Sequence, residues 1–390
     1  MKKVFEVFRV SLKLGLTSFG GPAAHLGYFH NEYVLRRKWL DEQSYADLVA
    51  LCQFLPGPAS SQLGISIGTI RAGLPGGIIS WCGFTAPSVI ALVLFAFLLK
   101  GFDFGRALWL HGLKIVAVAI VAQAIIAMWR KLILDWKLAT IALSSTAVMV
   151  FWQTAFSQVI VIVLTGGIGV LLYKNVTISE NSDLRIPVRR TAAVWCLIAF
   201  FSLLIVLPLL RHLSDNHWVS IADSFYRAGS LVFGGGHVVL PLLEKEVVPV
   251  GWISKETFLA GYGAAQAVPG PLFTFAGYLG AMIDGIRGAA LAVVAIFLPG
   301  FLLVIGALPF WSSLRRNSRI KGALICINAA VVGILLAALY NPLCTSSIHS
   351  SADAGLAIIL FGSLVFWKLP AWTIVIAGAL GSTILGFAHI

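Results

Sequence analysis

The chain contains few charged residues for its length. Asp, Glu, Lys and Arg together account for 11% of its 390 residues, whereas hydrophobic residues account for 59%. Soluble proteins contain about 25% charged residues and about 45–50% apolar residues. The composition therefore excludes a soluble chain of this size and predicts a polytopic membrane protein.

The chain also lacks the side-chain groupings that metal, redox or hydrolytic chemistry needs. Its cysteines lie far apart, without the spacings of zinc or redox pairs, at Cys52, Cys82, Cys196, Cys326 and Cys344. A membrane-embedded protease or transferase needs paired carboxylates, an HExxH-like pair or a Ser/His couple at membrane depth. Asp47 is nearly alone in an apolar run. We therefore expect no enzyme activity, no cofactor and no metal ion.

The net charge of +12 does not predict a nucleic-acid partner. Lys and Arg occur in short clusters between apolar runs instead of forming one basic face. Basic loops are typical of membrane proteins. The composition thus indicates the lipid bilayer as a partner, and no nucleic acid.

One motif occurs twice and organises the rest of the chain. Residues 50–58 read ALCQFLPGP, and residues 263–271 read GAAQAVPGP. A proline inside a helix removes an amide donor and clashes with the preceding turn, so each Pro-Gly-Pro predicts a broken helix. Other residues recur in the same order: FGG at 19–21 and 233–235, and Gly73, Gly76 and Pro87 as Gly285, Gly288 and Pro299. This ordered series indicates two diverged copies of one unit.

Apolar windows of about 20 residues, the length of a membrane-spanning helix, divide the chain. The first unit, 1–173, has six windows, A to F, at about 5–27, 44–69, 76–99, 107–128, 132–151 and 156–173. A charged linker is predicted at 174–190 and an extra connecting helix at 191–210. The second unit, 211–390, has windows A′ to F′ at about 219–241, 256–282, 288–310, 321–341, 354–368 and 371–389.

The number of windows predicts about thirteen crossings and two units in inverted orientation. Seven membrane-spanning segments precede A′. Because seven is odd, A′ starts on the opposite side of the membrane from A, and the second unit is inverted. Loop charges agree, because the D–E loop carries Arg130, Lys131 and Lys137 whereas the equivalent D′–E′ loop carries no Lys or Arg. Residues 36–38 (RRK) do not fit, since they fall on the outer side. If segments A and B were re-entrant, entering the membrane and returning to the same side, residues 36–38 would lie inside. The sequence leaves open whether A and B span the membrane or are re-entrant.

The candidate substrate site lies at the broken helices. Inverted-repeat transporters bind substrate near the midplane, where half-helix N-termini attract anions. A glutamine lies three residues before each break and offers donors without a charge. The candidate residues are Phe19, Gly20, Gly21, Gln53, Pro56, Gly57 and Pro58 in the first unit, and Phe233, Gly234, Gly235, Gln266, Pro269, Gly270 and Pro271 in the second. Close helix packing is the alternative role for the glycines and glutamines.

Basic residues at apolar depth complete the candidate site. Lys13 aligns with Arg227 at an offset of 214 residues, and Lys114 aligns with Asn328 at the same offset. A charge inside a membrane costs at least about 2.5–3.5 kcal/mol, so each cation needs a partner or a polar cavity. We expect these four residues to contribute to binding a dianion. Snorkelling of the lysines to the interface is the alternative.

The motifs resemble those of a known family. Residues 18–27 (SFGGPAAHLG), 37–41 (RKWLD) and 45–62 (YADLVALCQFLPGPASSQ), together with 233–243 (FGGGHVVLPLL) and the second Pro-Gly-Pro, are similar to the chromate ion transporter family in its long, two-domain form. The resemblance covers essentially the whole chain. It implies a multi-pass protein of the cytoplasmic membrane that exports chromate, with sulfate as a competing analogue, and so gives chromate resistance. A homodimer is possible.

Two other functions remain open at this point. Uptake or exchange of sulfate or a related oxyanion would use the same site, and a growth assay separates uptake from export because export lowers cellular chromate. An anion channel would conduct without saturable inhibition by sulfate. The membrane potential alone is sufficient to drive export. A dianion leaving an inside-negative cell gains about 4.6 kcal/mol per 100 mV, twice the value for one elementary charge.

Overall fold

The computed structural model describes residues 2–19, 21–101, 108–152, 155–173, 187–233, 238–311 and 318–388. All regular secondary structure in these ranges is helical, which confirms the all-α prediction. The candidate residues Gly20, Gly234 and Gly235 lie outside the described residues, as does most of the predicted linker, at 174–186.

The first unit and the connecting helix form eight helices within the described ranges. They are α1 Lys2–Thr17, α2 Gly21–Phe29, α3 Glu42–Phe54, α4 Ala59–Gly101, α5 Leu108–Leu132, α6 Trp136–Phe151, α7 Ala155–Leu172 and α8 Arg190–Leu213. A π-helical turn, His30–Arg36, extends α2. Helix α8 corresponds to the connecting helix that the sequence predicts at 191–210.

The second unit repeats this series. Its helices are α9 His217–Leu231, α10 Val239–Val247, α11 Lys255–Ala265, α12 Phe275–Ala307, α13 Ser318–Ala338, α14 Ser351–Val365 and α15 Ala371–Ala388. Short turns lie at Leu272–Thr274, Leu308–Phe310, Leu339–Cys344 and Thr345–Ser347. Helix α9 is the counterpart of α1, α11 of α3, α12 of α4 and α13 of α5.

Polar side chains begin several of these helices. The Asp41 carboxylate accepts the Ser44 amide at the start of α3, and the Asp135 carboxylate accepts the Leu138 amide at the start of α6. Such caps satisfy amides that have no partner inside the helix. Hydrogen bonds from the Ser44 amide and hydroxyl lower the pKa of Asp41, so this cap stays ionised at neutral pH.

Helix α4 is folded back on itself. Its backbone leaves helical geometry at Ala72 and Gly73, where Gly73 has φ +71°. Residues 68 and 76 would lie about 12 Å apart in a straight helix, yet a side chain at Gly68 would collide with the Gly76 backbone. Residues 59–71 and 74–101 are therefore two antiparallel helices. Helix α12 is folded in the same way at Asp284 and Gly285.

Helices α1 and α2 also form a hairpin. The Lys13 amine lies 3.0 Å from the Glu32 carboxylate, and the Arg37 guanidinium lies 3.2 Å from the Glu6 carboxylate. Glu6 in turn contacts Arg71, at the fold of α4, at 3.1 Å. The chain thus enters along α1 and returns along α2, which brings residues 36–38 to the end where α1 starts. Segment A is therefore a hairpin.

The second unit contains equivalent hairpins. Arg227 in α9 lies 2.8 Å from Glu246 in α10, at the positions that correspond to Lys13 and Glu32. The Tyr278 hydroxyl in α12 donates to the Thr257 carbonyl in α11 at 2.9 Å, which folds α11 against residues 275–283. Segment B is also a hairpin, because the Arg71 guanidinium at its end lies 5.0 Å from the centre of the Trp39 ring, just before its start. Segments A, B, A′ and B′ are therefore all hairpins.

The two units exchange helices. Helix α5 of the first unit packs between α14 and α15 of the second, and α13 of the second packs between α6 and α7 of the first. His111 of α5 lies 2.9 Å from Asp353 of α14, and the Ser382 hydroxyl of α15 donates to the Leu108 carbonyl. The Thr146 hydroxyl of α6 donates to the Gly333 carbonyl of α13 at 3.1 Å. Neither unit is complete without the other.

Five segments in the described residues are long and apolar enough to cross a membrane. They are Ala59–Lys100, Leu108–Leu132, Arg190–Leu213, Leu272–Phe310 and Ser318–Ser347. The first and fourth include the folds of α4 and α12, so their long arms, 74–101 and 286–307, are the parts that can span. Four shorter apolar helices correspond to α6, α7, α14 and α15. These features confirm a polytopic membrane protein.

Candidate substrate site at the two helix breaks

Both Pro-Gly-Pro segments interrupt a helix, as the sequence predicted. Helix α3 ends at Phe54 and α4 begins at Ala59, while α11 ends at Ala265 and a turn begins at Leu272. The central glycines, Gly57 and Gly270, have φ angles of +118° and +93°. Glycine adopts such angles without the steric cost that a Cβ brings.

Two reciprocal hydrogen bonds join the breaks to the opposite unit. The Gly57 amide donates to the Val232 carbonyl at 2.7 Å, and the Gly270 amide donates to the Ser18 carbonyl at 2.8 Å. Ser18 and Val232 are equivalent positions, just after α1 and α9. Each break therefore contacts the first hairpin of the other copy, and the two contacts correspond under the repeat. The structure thus brings the first break beside Val232 and the second break beside Ser18.

Helices α4 and α12 each pack closely against the break of the opposite unit. A Cβ at Gly57 would lie 3.2 Å from the Gly300 Cα, and one at Gly270 would collide with the Ser88 hydroxyl. Residues 88 and 300 are equivalent, one position after Pro87 and Pro299. The Ser88 hydroxyl donates to the Pro269 carbonyl.

Gln62 ties the first break to α12 of the other unit. Its amide donates to the Pro56 carbonyl at 2.9 Å and to the Gly300 carbonyl at 3.3 Å. Sequence reasoning missed Gln62 and Ser88. The alignment of Pro87 with Pro299 was the signal that pointed towards this region.

Helix N-termini follow directly on both breaks. Helix α4 begins after Pro58 and the turn leading into α12 begins after Pro271, and α2 begins at Gly21, whose φ is +77°. N-terminal amides lack partners within the helix and carry partial positive charge. The breaks therefore supply donors suited to an anion.

The two candidate glutamines differ in their surroundings. Gln53 is exposed at the end of α3. Gln266 is half-buried, its Nε2 is buried, and its side chain interacts with the hydroxyl of the buried Tyr262. Its amide offers donors without a charge. A substrate role for either glutamine stays a prediction.

The aligned cations Lys13 and Arg227 are each bound to a carboxylate. Lys13 pairs with Glu32 and Arg227 with Glu246, so the repeat conserves the whole ion pair and not only the cation. Each pair bridges the two arms of a hairpin. Their role in substrate binding stays a prediction, but the structure shows that neither charge is free in this state.

The ion pair of the second unit belongs to a buried network. The Asp223 carboxylate, with 1% of its side chain exposed, lies 3.0 Å from both Arg211 and Arg227. Arg211 also approaches Glu246 at 3.7 Å. The position equivalent to Asp223 in the first unit is Arg9, so the two networks are not identical.

Lys114 and Asn328 lie on the exchanged helices α5 and α13. Lys114 is half-buried, and no carboxylate in the described part of the chain lies within 4.0 Å of it; its electrostatic effect reaches Glu256 at the start of α11. Its neighbour Leu113 contacts Gly263, three residues before Gln266. Asn328 is half-buried on α13, which packs on α6 and α7 and also on α5.

Comparison with known proteins assigns the family. The family model described as Chromate transporter matches residues 5–170 and 219–382, which is most of the chain and both units. The chain belongs to the chromate transporter family. Each match contains one pair of hairpins, one Pro-Gly-Pro break and one exchanged helix of this chain.

Three relatives span nearly the whole chain. A probable chromate transport protein of Synechococcus elongatus is 28% identical over 98% of this chain and 95% of its own length. Chromate transport proteins of Cupriavidus metallidurans and Pseudomonas aeruginosa are each 27% identical, over 94% and 96% of this chain and 89% and 90% of their own lengths. No solved structure matches the chain.

Proposed function

We propose that the chain exports chromate across the cytoplasmic membrane by alternating access at the two helix breaks. The observation that carries this proposal is the reciprocal pair of hydrogen bonds, Gly57 to Val232 and Gly270 to Ser18. In inverted-repeat transporters, movement of one repeat against the other opens a central site to each side in turn, and these hydrogen bonds join the two repeats at the breaks. Helix N-termini at the same place offer the donors that an oxyanion needs.

The course of the chain supports an inverted arrangement. The first end of the molecule is defined by Glu6, Arg37 and Arg71, and the second end by the His111–Asp353 contact. Tyr173 donates to Asp135 at 2.7 Å, so α6 and α7 leave and return to one end. The hairpins of the first unit then start from the first end and those of the second unit from the second end. With all four hairpins re-entrant, nine crossings remain of the thirteen expected from the apolar windows.

Loop charges support a cytoplasmic first end, because cytoplasmic loops are rich in Lys and Arg. At the described positions, the cations of the first end are Lys2, Lys3, Arg36, Arg37, Lys38, Arg71, Arg130, Lys131, Lys137, Arg189, Arg190, Arg319, Lys321 and Lys368. Those of the second end are Lys100, Arg211, Lys245, Lys255 and Arg287. Residues 36–38, which did not fit thirteen crossings, join the majority.

The names of the relatives support chromate as substrate. We infer that sulfate competes, because it is also a tetrahedral dianion, and that export lowers cellular chromate and gives resistance. The membrane potential is a sufficient driving force for a dianion leaving the cell. We further propose that the chain divides into units 1–173 and 211–390, joined by 174–190 and 191–210, with a homodimer as a possible assembly.

Radiolabelled chromate flux in inside-out vesicles tests the proposal. We expect saturable accumulation when a potential, positive in the lumen, is imposed, and inhibition by excess sulfate. The pH gradient is imposed separately. Accumulation mainly in right-side-out vesicles would indicate uptake instead of export, and flux that neither saturates nor responds to sulfate would indicate a channel.

Thiol labelling tests the inverted arrangement. Single cysteines replace Leu134 between α5 and α6, Ser351 at the start of α14, and Glu42 after the first hairpin, in a chain without its native cysteines. An impermeant reagent should label Leu134→Cys and Glu42→Cys from the cytoplasmic side and Ser351→Cys from the other. Labelling of Leu134→Cys and Glu42→Cys from opposite sides would mean that the segment containing α1 and α2 spans the membrane once. Labelling of all three cysteines from one side would rule out inverted units.

Lys114 is expected to attract the dianion. A lysine ~10 Å from a dianion contributes about 3 kcal/mol at an effective dielectric constant of ~20, and Glu256 offsets part of this. We expect Lys114→Gln to raise the KM for chromate about tenfold and Lys114→Arg to raise it less, because the charge is kept. The exposed Lys137→Gln is the control. An unchanged KM in Lys114→Gln would show that the Lys114 charge does not contribute to chromate binding, and that backbone amides and other groups hold the anion.

A further inference from the structure

His25 is buried beside one of the two inter-unit hydrogen bonds. None of its surface is exposed, and its Nε2 lies 3.1 Å from the Ser18 carbonyl oxygen. The same carbonyl accepts the Gly270 amide at 2.8 Å. The imidazole therefore shares its acceptor with the contact between the first hairpin and the second break.

The hydrogen bond to Ser18 determines which ring nitrogen carries the proton. A carbonyl only accepts, so Nε2 must donate, and a neutral imidazole then presents a lone pair at Nδ1. Nδ1 is buried and has no partner among the described residues. A buried nitrogen of this kind is costly unless a proton or a donor reaches it.

Other buried polar groups without partners lie on the segments that form this contact. In the described part of the chain they include the Ser18 and Thr85 hydroxyls. Phe84, next to Thr85, contacts the His25 ring edge to face at 5.4 Å, and its carbonyl would lie 3.3 Å from a Cβ at Gly270. Two hydroxyls and one imidazole thus lie on the segments that meet at the second break.

Other titratable groups lie on the elements around His25, among them Tyr33 and His30 on the same hairpin and Cys52 on α3. On α3, Tyr45 donates its hydroxyl to the Leu26 carbonyl at 2.5 Å. On α4, Cys82 lies two residues before Phe84, and on α1 the Lys13–Glu32 ion pair lies further along the hairpin. The position equivalent to His25 in the second unit is Val239, so this titratable group belongs to one unit only. His237 lies outside the described residues.

We propose that His25 contacts the transported oxyanion through one shared proton. The proton lies between Nδ1 and an oxyanion oxygen: a neutral imidazole accepts it from the singly protonated anion, or a protonated imidazole donates it to the dianion. No covalent bond to the anion forms or breaks. This inference rests on the proposed transport function and adds the coupling ion to it.

The shared proton has a consequence for energetics. The transported unit carries one net negative charge instead of two, so the membrane potential still drives export but with half the dependence on voltage. The proton is taken up on the cytoplasmic side and released on the other side together with the anion. An acidic exterior therefore opposes export in the wild-type chain.

Proteoliposomes containing a pH-sensitive dye test the proposal. Radiolabelled chromate and proton movement are measured together at alkaline pH, where free chromate is the dianion and the transported proton must enter from the solution on the cytoplasmic side through the protein. We expect the wild type to move about one proton per chromate. His25→Gln keeps a donor for the Ser18 carbonyl but cannot titrate, so its chromate flux should fall and its proton-to-chromate ratio should drop at least tenfold.

His30→Gln is the matched control, because His30 lies on the same hairpin but is partly exposed and pairs with Glu42. It should keep the wild-type ratio. Wild-type chromate flux without proton movement, or His25→Gln with the wild-type ratio, overturns the inference while the transport function stands. Absence of wild-type chromate flux overturns the transport function itself.

A misfolded His25→Gln leaves a second route. Proton uptake on chromate binding is measured for the purified wild type and for Gln variants of the other seven of the eight histidines. We expect all seven to retain the uptake. If one of the seven loses it, or if the wild type takes up no proton, the assignment to His25 is wrong.

Discussion

Gly270→Ala is expected to reduce chromate transport to background, a loss of at least tenfold. Gly270 has φ +93°, a conformation that costs a residue with a Cβ about 1–2 kcal/mol. The added methyl would also overlap the Ser88 hydroxyl and crowd the Phe84 carbonyl. The backbone must therefore shift, and the hydrogen bond from Gly270 to Ser18 is the first contact to be lost. Chromate flux in inside-out vesicles at matched expression measures the effect.

The chain offers a control that separates backbone strain from crowding. Gly251, in the loop between α10 and α11, has φ +77°, but a Cβ there would meet nothing within 4 Å. Gly251→Ala should keep most of the transport activity. Gly57→Ala should behave like Gly270→Ala, since φ is +118° and the Gly300 Cα lies 3.2 Å from the added atom. If Gly270→Ala transports within twofold of Gly251→Ala, the break is not part of the transport machinery.

Asp223→Ala is expected to lower the free energy of unfolding by about 3–5 kcal/mol, the usual effect of removing one partner from a buried ion pair. Asp223 is 1% exposed and contacts both Arg211 and Arg227 at 3.0 Å. Its removal leaves two partly buried guanidinium groups with only Glu246 between them. Thermal or denaturant unfolding in detergent measures the change.

Glu42→Ala is the matched control for this prediction. It removes the carboxylate of the exposed His30–Glu42 pair, whose side chains are 33% and 68% exposed. Exposed pairs contribute about 0–1 kcal/mol, so its unfolding should stay close to that of the wild type. Equal destabilisation by the two variants would show that the buried network around Asp223 has no special role in stability.

The ion pairs explain why the repeat alignment was informative but incomplete. Alignment showed that Lys13 and Arg227 occupy the same position, and the expense of buried charge predicted that each needs a partner or a polar cavity. The partners are Glu32 and Glu246, which also align with each other. A sequence offset cannot reveal that a residue 19 positions away is the partner, because that depends on the hairpin that folds α2 back along α1.

The sequence by itself determined the membrane class, the duplication and the position of both breaks, because each follows from local chemistry. Apolar composition needs lipid, and Pro-Gly-Pro cannot continue a helix. The tertiary structure alone decided that α2 returns along α1 and that α4 folds back on itself, with the same arrangement in the second unit. Hydropathy gives the length of an apolar run but does not show where the chain reverses within it. The tertiary structure alone also decided the exchange of α5 and α13 and the hydrogen bonds from Gly57 to Val232 and from Gly270 to Ser18. These contacts join residues far apart in the chain, and only the packed chain makes them neighbours.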